Sequence, residues 1–210
     1  MTAAVFLDRD GTLVETRHYP TRPEDLVLYE GLGAELRTLQ HAGFRLVLIT
    51  NQSGIARGYF GWAELERMHE SLLETFRSEG VSIDAIYVCP HHPEGTIGEL
   101  SIECDCRKPK PGMLLSAANE LGLDLARSWF IGDILDDVEA GNRAGCRTVL
   151  VDLGTERSPE SPLRTPTYVA RDSLHAVRLV QAVEGIPSHA DLDYQPQRWS
   201  GSTLLSARSA

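Results

Sequence analysis

The feature that most constrains this sequence is a repeated alternation. Apolar runs of strand length recur at Val5-Phe6-Leu7, Phe44 to Ile49, Ala85 to Val88, Trp129-Phe130-Ile131 and Thr148 to Val151. Stretches with helical spacing separate them. Leu32, Leu36 and Leu39 share one helical face, as do Trp62, Leu65, Met68, Leu72 and Phe76. Leu114, Ala117, Ala118 and Leu121 form another stripe between Pro111 and Gly122, and Val138 to Ala144 forms a short one closed by Gly145. At this spacing Trp62 and Met68 read as core. Strands that alternate with helices pair in parallel, so the expected fold class is α/β, with a doubly wound parallel sheet.

In such sheets ligands gather at the carboxyl ends of the strands. The polar residues that close the apolar runs should then form one chemical set. They are Asp8 and Asp10, Thr50 and Asn51, and Asp133. Asp8 and Asp10 are two residues apart, so in extended chain they share a side. Two carboxylates in one small site repel each other unless a proton or a cation intervenes. Asp-Gly alone suits an ordinary turn, so the Asp10-Gly11 pair gains meaning only from its companions. Thr50-Asn51-Gln52-Ser53-Gly54 is a run of hydroxyl and amide groups longer than a helix cap requires. Asp133, Asp136 and Asp137 suit a hard cation, although Asp136 and Asp137 also suit a helix N-terminus.

Charge narrows the ligand. The chain has 210 residues, enough for one core with insertions, and carries 20 Lys+Arg against 30 Asp+Glu, a net charge of -10. Nucleic acid and anionic membrane are disfavoured partners. Basic residues are not interleaved with aromatic ones, which argues against a zinc-knuckle nucleic-acid module. Yet Arg107-Lys108-Pro109-Lys110 places cations just before a helix start, where the macrodipole disfavours them unless an anion is bound. No apolar run approaches the roughly 20 residues of a membrane span, and the N-terminus has no signal-peptide pattern. The chain therefore reads as cytoplasmic. Residues 1–185 are expected to form one domain, with 156–166 a loop and 186–210 a tail that wraps the surface or is disordered.

Three of the four cysteines, Cys89, Cys104 and Cys106, fall in one short window. In a reducing compartment this indicates metal before disulfide. With His91 they make a closed Cys3His tetrahedron around zinc, with no position open for water. His92 is a rival ligand, and Cys-x-His spacing favours His91. The intervening loop contains Gly95 and Gly98 and is long enough to fold back. Cys146 reads as a small core residue.

Taken together, these ordered strand-end motifs resemble the haloacid dehalogenase-like (HAD) phosphohydrolase superfamily from about Val5 to Val151. Cys89-x-His91, Cys104-x-Cys106 and Arg107-Lys108-Pro109 resemble its histidinol-phosphate and heptose-bisphosphate phosphatase branch, which carries a zinc loop here. Thr50 through Phe60 and Lys108 through Leu114 are similar to the heptose side of that branch; Ile134 departs from the Lys often found there. The resemblance implies Mg2+-dependent phosphomonoester hydrolysis on the 7-phosphate of a heptose 1,7-bisphosphate, with histidinol phosphate the alternative substrate. It implies Asp8 as nucleophile, Asp10 as general acid and base, and Thr50 and Lys108 as phosphoryl-binding groups. Mg2+ would be held by Asp8, the Asp10 backbone carbonyl and Asp133, while Asp137 would orient Lys108 or a metal-bound water. Substrate contacts are expected from Arg9, Thr16, Arg17, His18, Tyr19, Asn51, Gln52, Ser53, Arg57 and Arg107. The segments after Asp10 and Thr50 leave no room for a large cap domain, so the zinc loop is the expected wall of the site. A monomer acting on a small sugar bisphosphate is expected.

Overall fold

In a strand, neighbouring side chains point to opposite faces. The apolar runs here are continuous because both faces are covered. The computed structural model describes residues 1–187. The tail expected at 186–210 lies outside the described residues except for Ile186 and Pro187.

Six strands form one fully parallel sheet: β1 Ala4–Leu7, β2 Arg45–Asn51, β3 Ala85–Cys89, β4 Trp129–Gly132, β5 Arg147–Val151 and β6 Tyr168–Ala170. Their order is β3-β2-β1-β4-β5-β6. The chain steps outward from β1 to β3 and returns to place β4 on the other side of β1. The strand order thus reverses between β1 and β4, the place outside whose carboxyl ends sheets of this kind bind ligands.

On one face Val5, Leu7, Leu46, Leu48, Trp129 and Ile131 pack with Leu32, Leu36 and Leu39 of α1 (Leu32–His41) and with Val177 and Val180 of α5 (Ser173–Val183). On the other, Ala4, Phe6, Val47, Ile49 and Phe130 meet Met113, Leu114 and Ala117 of α3 (Gly112–Leu121) and Ala140 of α4 (Leu135–Ala144). The alternation along β1 and β2 therefore divides one apolar run between two cores. α2 (Trp62–Ser78) does two jobs: Leu72 and Phe76 enter the first core, while Leu65 and Met68 join Ile55 and Phe60 of the segment after β2.

The expected helices form, with two differences in detail. Trp62 is 48% exposed rather than core. It is the first residue of α2, ahead of the turn that reaches apolar neighbours. α4 starts at Leu135, earlier than its apolar spacing implies, because polar Asp136 and Asp137 occupy its first turn. β6 extends the sheet beyond the five expected strands, and α5 follows it. Within the loop over 156–166, a 3-10 turn at Pro162–Arg164 is pinned by Arg164 to Asp136 at 3.0 Å and Glu139 at 3.1 Å.

Candidate active site

Asp8 directly follows β1, and its amide donates to the Ile131 carbonyl at 3.0 Å, extending the pairing with β4 by one residue. That bond sets Asp8 beside Asp133, which follows β4. Two glycines make this proximity possible. Gly11 has φ +83°, and a Cβ there would lie 2.2 Å from Asp133 Oδ2; a Cβ on Gly132 would lie 2.3 Å from the Asp137 side chain. Carboxylates therefore occupy the space that side chains at 11 and 132 would take.

Lys108 reaches into this cluster from the loop before α3. Its Nζ lies 2.6 Å from Asp8 Oδ1 and 2.6 Å from Asp137 Oδ1, and donates to the Ile49 carbonyl at 3.1 Å. Asn51 fixes its backbone from both sides: Lys108 N donates to Asn51 Oδ1 at 3.1 Å, and Asn51 Nδ2 donates to the Lys108 carbonyl at 3.2 Å. Burial opposes the ammonium charge, but Asp137 and Asp8 outweigh it and hold Lys108 above its ordinary pKa. Asp137 has little capacity left, since its Oδ2 also accepts from Ile134 N at 3.3 Å.

Asp8 and Asp133 are the strained members. Burial, with repulsion from Asp137 and Asp10 and against attraction from Lys108, pushes Asp8 up to about 7. Burial, then Asp8 and Asp137, pushes Asp133 up to about 8. The carboxylate oxygens of Asp8, Asp133 and Asp137 lie within 4.8 Å of one another. One lysine does not neutralise three buried carboxylates, and a donor set of clustered oxygens suits a hard divalent cation.

Asp10 is held by a separate network. Arg9 Nε donates to Asp10 Oδ2 at 3.1 Å, and Arg9 Nη2 approaches Oδ1 at 2.9 Å and Oδ2 at 2.8 Å. Gln52 accepts from Arg9 Nη2 at 3.0 Å and donates to Asp10 Oδ2 at 2.9 Å and Thr50 Oγ1 at 2.8 Å. Thr50, at the end of β2, is thereby tied to Asp10. Arg9 is 0% exposed, with its guanidinium engaged by Asp10, Gln52 and His69. Behind it lies His69 of α2, with Nε2 3.3 Å from Arg9 Nη1.

Burial, followed by the Arg9 charge, holds His69 down at about 4, from an ordinary 6.5. Its stabilising contribution, present above about 6.5, is lost as pH falls toward 4, where the unfolded chain takes up a proton and the folded chain resists it. His69→Gln should therefore lose less stability than wild type between these pH values, by up to about 3 kcal/mol. Urea unfolding of both proteins across that range measures the difference; parallel stability curves would refute it.

The sulfur cluster forms as a second centre. Cys106 Sγ lies 3.1 Å from Cys89 Sγ, 3.2 Å from Cys104 Sγ and 3.3 Å from His91 Nδ1. His91 joins the cluster. His92 instead meets Arg57, whose Nη2 is 3.0 Å from His92 Nε2. Hydrogen bonding from Cys89, against burial and with help from Cys104 and His91, pulls Cys106 down to about 5. These four residues could hold a metal ion. Their loop is fastened to the segment after β2, since Thr96 N and Ile97 N both donate to the Ala56 carbonyl, at 2.7 and 2.9 Å.

A cavity of about 220 Å³ opens at this end of the sheet, lined by Asp10, Arg17, His18, Tyr19, Pro20, Asn51, Gln52, Ser53 and Gly54. Tyr19 holds φ +49°, unusual for a bulky residue, with its ring edge-on to His18 and Tyr59, centroids 4.6 Å away in each case. Thr16, Arg57 and Arg107 stand outside this lining. Arg57 also lies 3.6 Å from Glu94, and Arg107 Nη1 donates to the His91 carbonyl at 3.3 Å. Both arginines are therefore tied to the loop that carries the sulfur cluster. His69 and the backbone grip of Asn51 on Lys108 were not expected from sequence. His69 carries only the weak signal of one imidazole on an apolar helix stripe.

Known proteins fit this arrangement. The family model described as HAD-hydrolase-like matches residues 105–176. The D-glycero-beta-D-manno-heptose-1,7-bisphosphate 7-phosphatase of Haemophilus ducreyi is 49% identical over 156 residues, 72% of this chain and 84% of that one. The protein of the same name from Pasteurella multocida is 46% identical over 185 residues, 88% of this chain and 100% of that one. The crystal structure of D,D-heptose 1,7-bisphosphate phosphatase from B. bronchiseptica, complexed with magnesium and phosphate, superposes with a TM-score of 0.71 at 32% identity, covering 86% of this chain and 99% of that one. With its strand-end carboxylates, buried lysine and sulfur cluster, this chain belongs to the heptose-1,7-bisphosphate 7-phosphatase family of HAD-like hydrolases.

Proposed function

We propose that the protein hydrolyses the 7-phosphate of D-glycero-D-manno-heptose 1,7-bisphosphate and releases the 1-phosphate. The observation that carries this reading is Asp8, with Oδ1 held by Lys108 and its carboxylate clustered with those of Asp133 and Asp137. Asp8 Oδ2 attacks phosphorus while the bond from phosphorus to the sugar oxygen breaks, and Asp10 gives its proton to that oxygen. Asp10, now a carboxylate, then takes a proton from the water that attacks the aspartyl-phosphate. The bond between phosphorus and Asp8 breaks, and inorganic phosphate leaves. Thr50 and Lys108 hold phosphoryl oxygens, and Lys108 also offsets the Asp8 charge until phosphate arrives.

The crowded, charge-deficient pair Asp8 and Asp133 fits Mg2+, with the Asp10 carbonyl as a further ligand. The ion supplies charge that lets two anions approach. Asp137, already engaged by Lys108 and Ile134 N, positions the lysine. The cavity lined by Arg17, His18 and Tyr19 supports these residues, with Asn51, Gln52 and Ser53, as the sugar-binding side. Arg57, from the segment after β2, and Arg107, just past the loop, answer the second phosphate. The relatives' shared name favours the heptose substrate over histidinol phosphate. Phosphate release from both bisphosphate anomers and from histidinol phosphate, measured side by side, tests this. A higher kcat/KM for histidinol phosphate than for either anomer would overturn it.

The sulfur cluster fits zinc. A tetrahedron with zinc–sulfur bonds of about 2.3 Å has edges of about 3.8 Å, close to the 3.1 to 3.7 Å separations among Cys89, His91, Cys104 and Cys106. Four ligands close the site, so the ion braces the loop. Protein purified without added zinc should carry one equivalent by elemental analysis. Cys104→Ser should lower that content and raise KM for the bisphosphate more than it lowers kcat. Wild-type protein with under half an equivalent, and no response to Cys104→Ser, would count against a zinc site.

A further inference from the structure

Arg9 and His69 lie outside the reacting centre, yet both are buried and joined through a chain of hydrogen bonds that ends on Asp10. The guanidinium is almost fully committed. Nε and Nη2 form a fork on the Asp10 carboxylate, Nη2 also meets Gln52 Oε1, and Nη1 meets His69 Nε2. Since Arg9 can only donate, His69 Nε2 must accept, which assigns the imidazole proton to Nδ1. The bonds on Asp10 are unequal. Oδ2 receives Arg9 Nε, Arg9 Nη2 and Gln52 Nε2, whereas Oδ1 receives Arg9 Nη2 alone. Oδ2 is saturated, and Oδ1 keeps a lone pair that can carry a proton.

From this geometry we infer that His69 is a positioning residue. As a neutral acceptor behind Arg9 it sets the guanidinium plane, and through it turns Asp10 so that Oδ1 does the proton transfer to the leaving oxygen. The inference rests on the assignment of Asp10 as general acid and deepens it. Other groups facing Asp10 do not duplicate this function: Gln52 anchors Oδ2, and Asp8 repels the carboxylate without directing it. A hydrophobic residue at 69 would leave Arg9 Nη1 without its acceptor, and the plane would no longer be held from behind.

The test uses leaving groups of different basicity. A sugar alkoxide needs a proton from Asp10 to depart, but p-nitrophenolate leaves without one, and kcat/KM reports only events up to the first irreversible step. His69→Leu should lower kcat/KM for the bisphosphate by about tenfold or more, as expected for a misplaced catalytic group. For p-nitrophenyl phosphate the loss should stay within about twofold. His69→Gln retains an acceptor and should restore most of the difference. Arg9→Lys keeps the charge but gives up the fork, and should reproduce the selective loss even if His69→Leu fails to fold. Equal losses on both substrates, or no loss on either, would overturn the inference. Asp10→Asn serves as the separate control. If it too spares the bisphosphate reaction, the general-acid assignment fails; if it alone cripples that reaction, only the role of His69 fails.

Discussion

Asp8→Asn is expected to abolish turnover, by on the order of 10⁴-fold or more, because the amide cannot form the phosphoenzyme. The fold should survive, and in chelator-treated protein it should gain stability. Burial raises the Asp8 carboxyl from 3.8 to about 7 in the folded chain. A raised carboxyl pKa means that the folded state binds the proton more tightly than the unfolded one. Wild-type stability from this group is therefore present at low pH and is lost as pH climbs through that interval. The variant has no such group, so its melting temperature should match wild type near pH 4 and exceed it near pH 8. Mg2+ should narrow the difference by stabilising the wild-type carboxylate. Calorimetry at the two pH values, with and without Mg2+, measures this; retained turnover, or a variant less stable at pH 8, would count against the assignment.

Lys108→Met should have the opposite effect on stability while also disabling catalysis. The ammonium bridges Asp8 and Asp137 at 2.6 Å on each side, and it is 2% exposed. Removing one partner from a buried ion pair leaves an uncompensated charge, at a cost of about 3–5 kcal/mol. The loss should be largest near pH 8 and shrink as the pH falls and the carboxyls take up protons. Combining Lys108→Met with Asp8→Asn should recover part of it, because one of the stranded charges is then gone. Activity should fall by about 10²–10³-fold, the usual loss on removing one group that stabilises transition-state charge. Denaturant titrations of the single and double variants provide the comparison. A recovery no larger than the gain from Asp8→Asn alone, that is, additive stability changes, would show that Lys108 and Asp8 do not act as a pair.

The strand-end residues are legible in the sequence for a simple reason. A polar residue that closes a buried parallel strand lies at the carboxyl edge of the sheet, so Asp8, Thr50 and Asp133 share a neighbourhood before any distance is known. The sulfur cluster is legible from ligand type and spacing, and distance distinguishes His91 from His92. Arg9 is not legible in this way. Its position between two aspartates does not indicate that one of its partners is a histidine 60 residues away. β6 is three residues long and gives no periodic signal. Arg57 and Arg107 are visible as cations, but their attachment to the loop depends on contacts that no local pattern encodes.

The loop over 89–106 has two firm ends and a loose interval. Its backbone is stitched to Ala56, and its two pairs of clustered Cys and His residues lie at either end, with Cys106 two residues before Lys108. Between Ser101 and Cys104, Ile102 and Glu103 are exposed, and Ile102 is 44% accessible. Chain length therefore matters unequally along this stretch. A residue added between Cys106 and Lys108 would shift the Lys108 ammonium out of register with Asp8, whereas one added at Ile102 would bulge into solvent with both anchors in place. The loop can be lengthened or reshaped there while Lys108 keeps its position against Asp8.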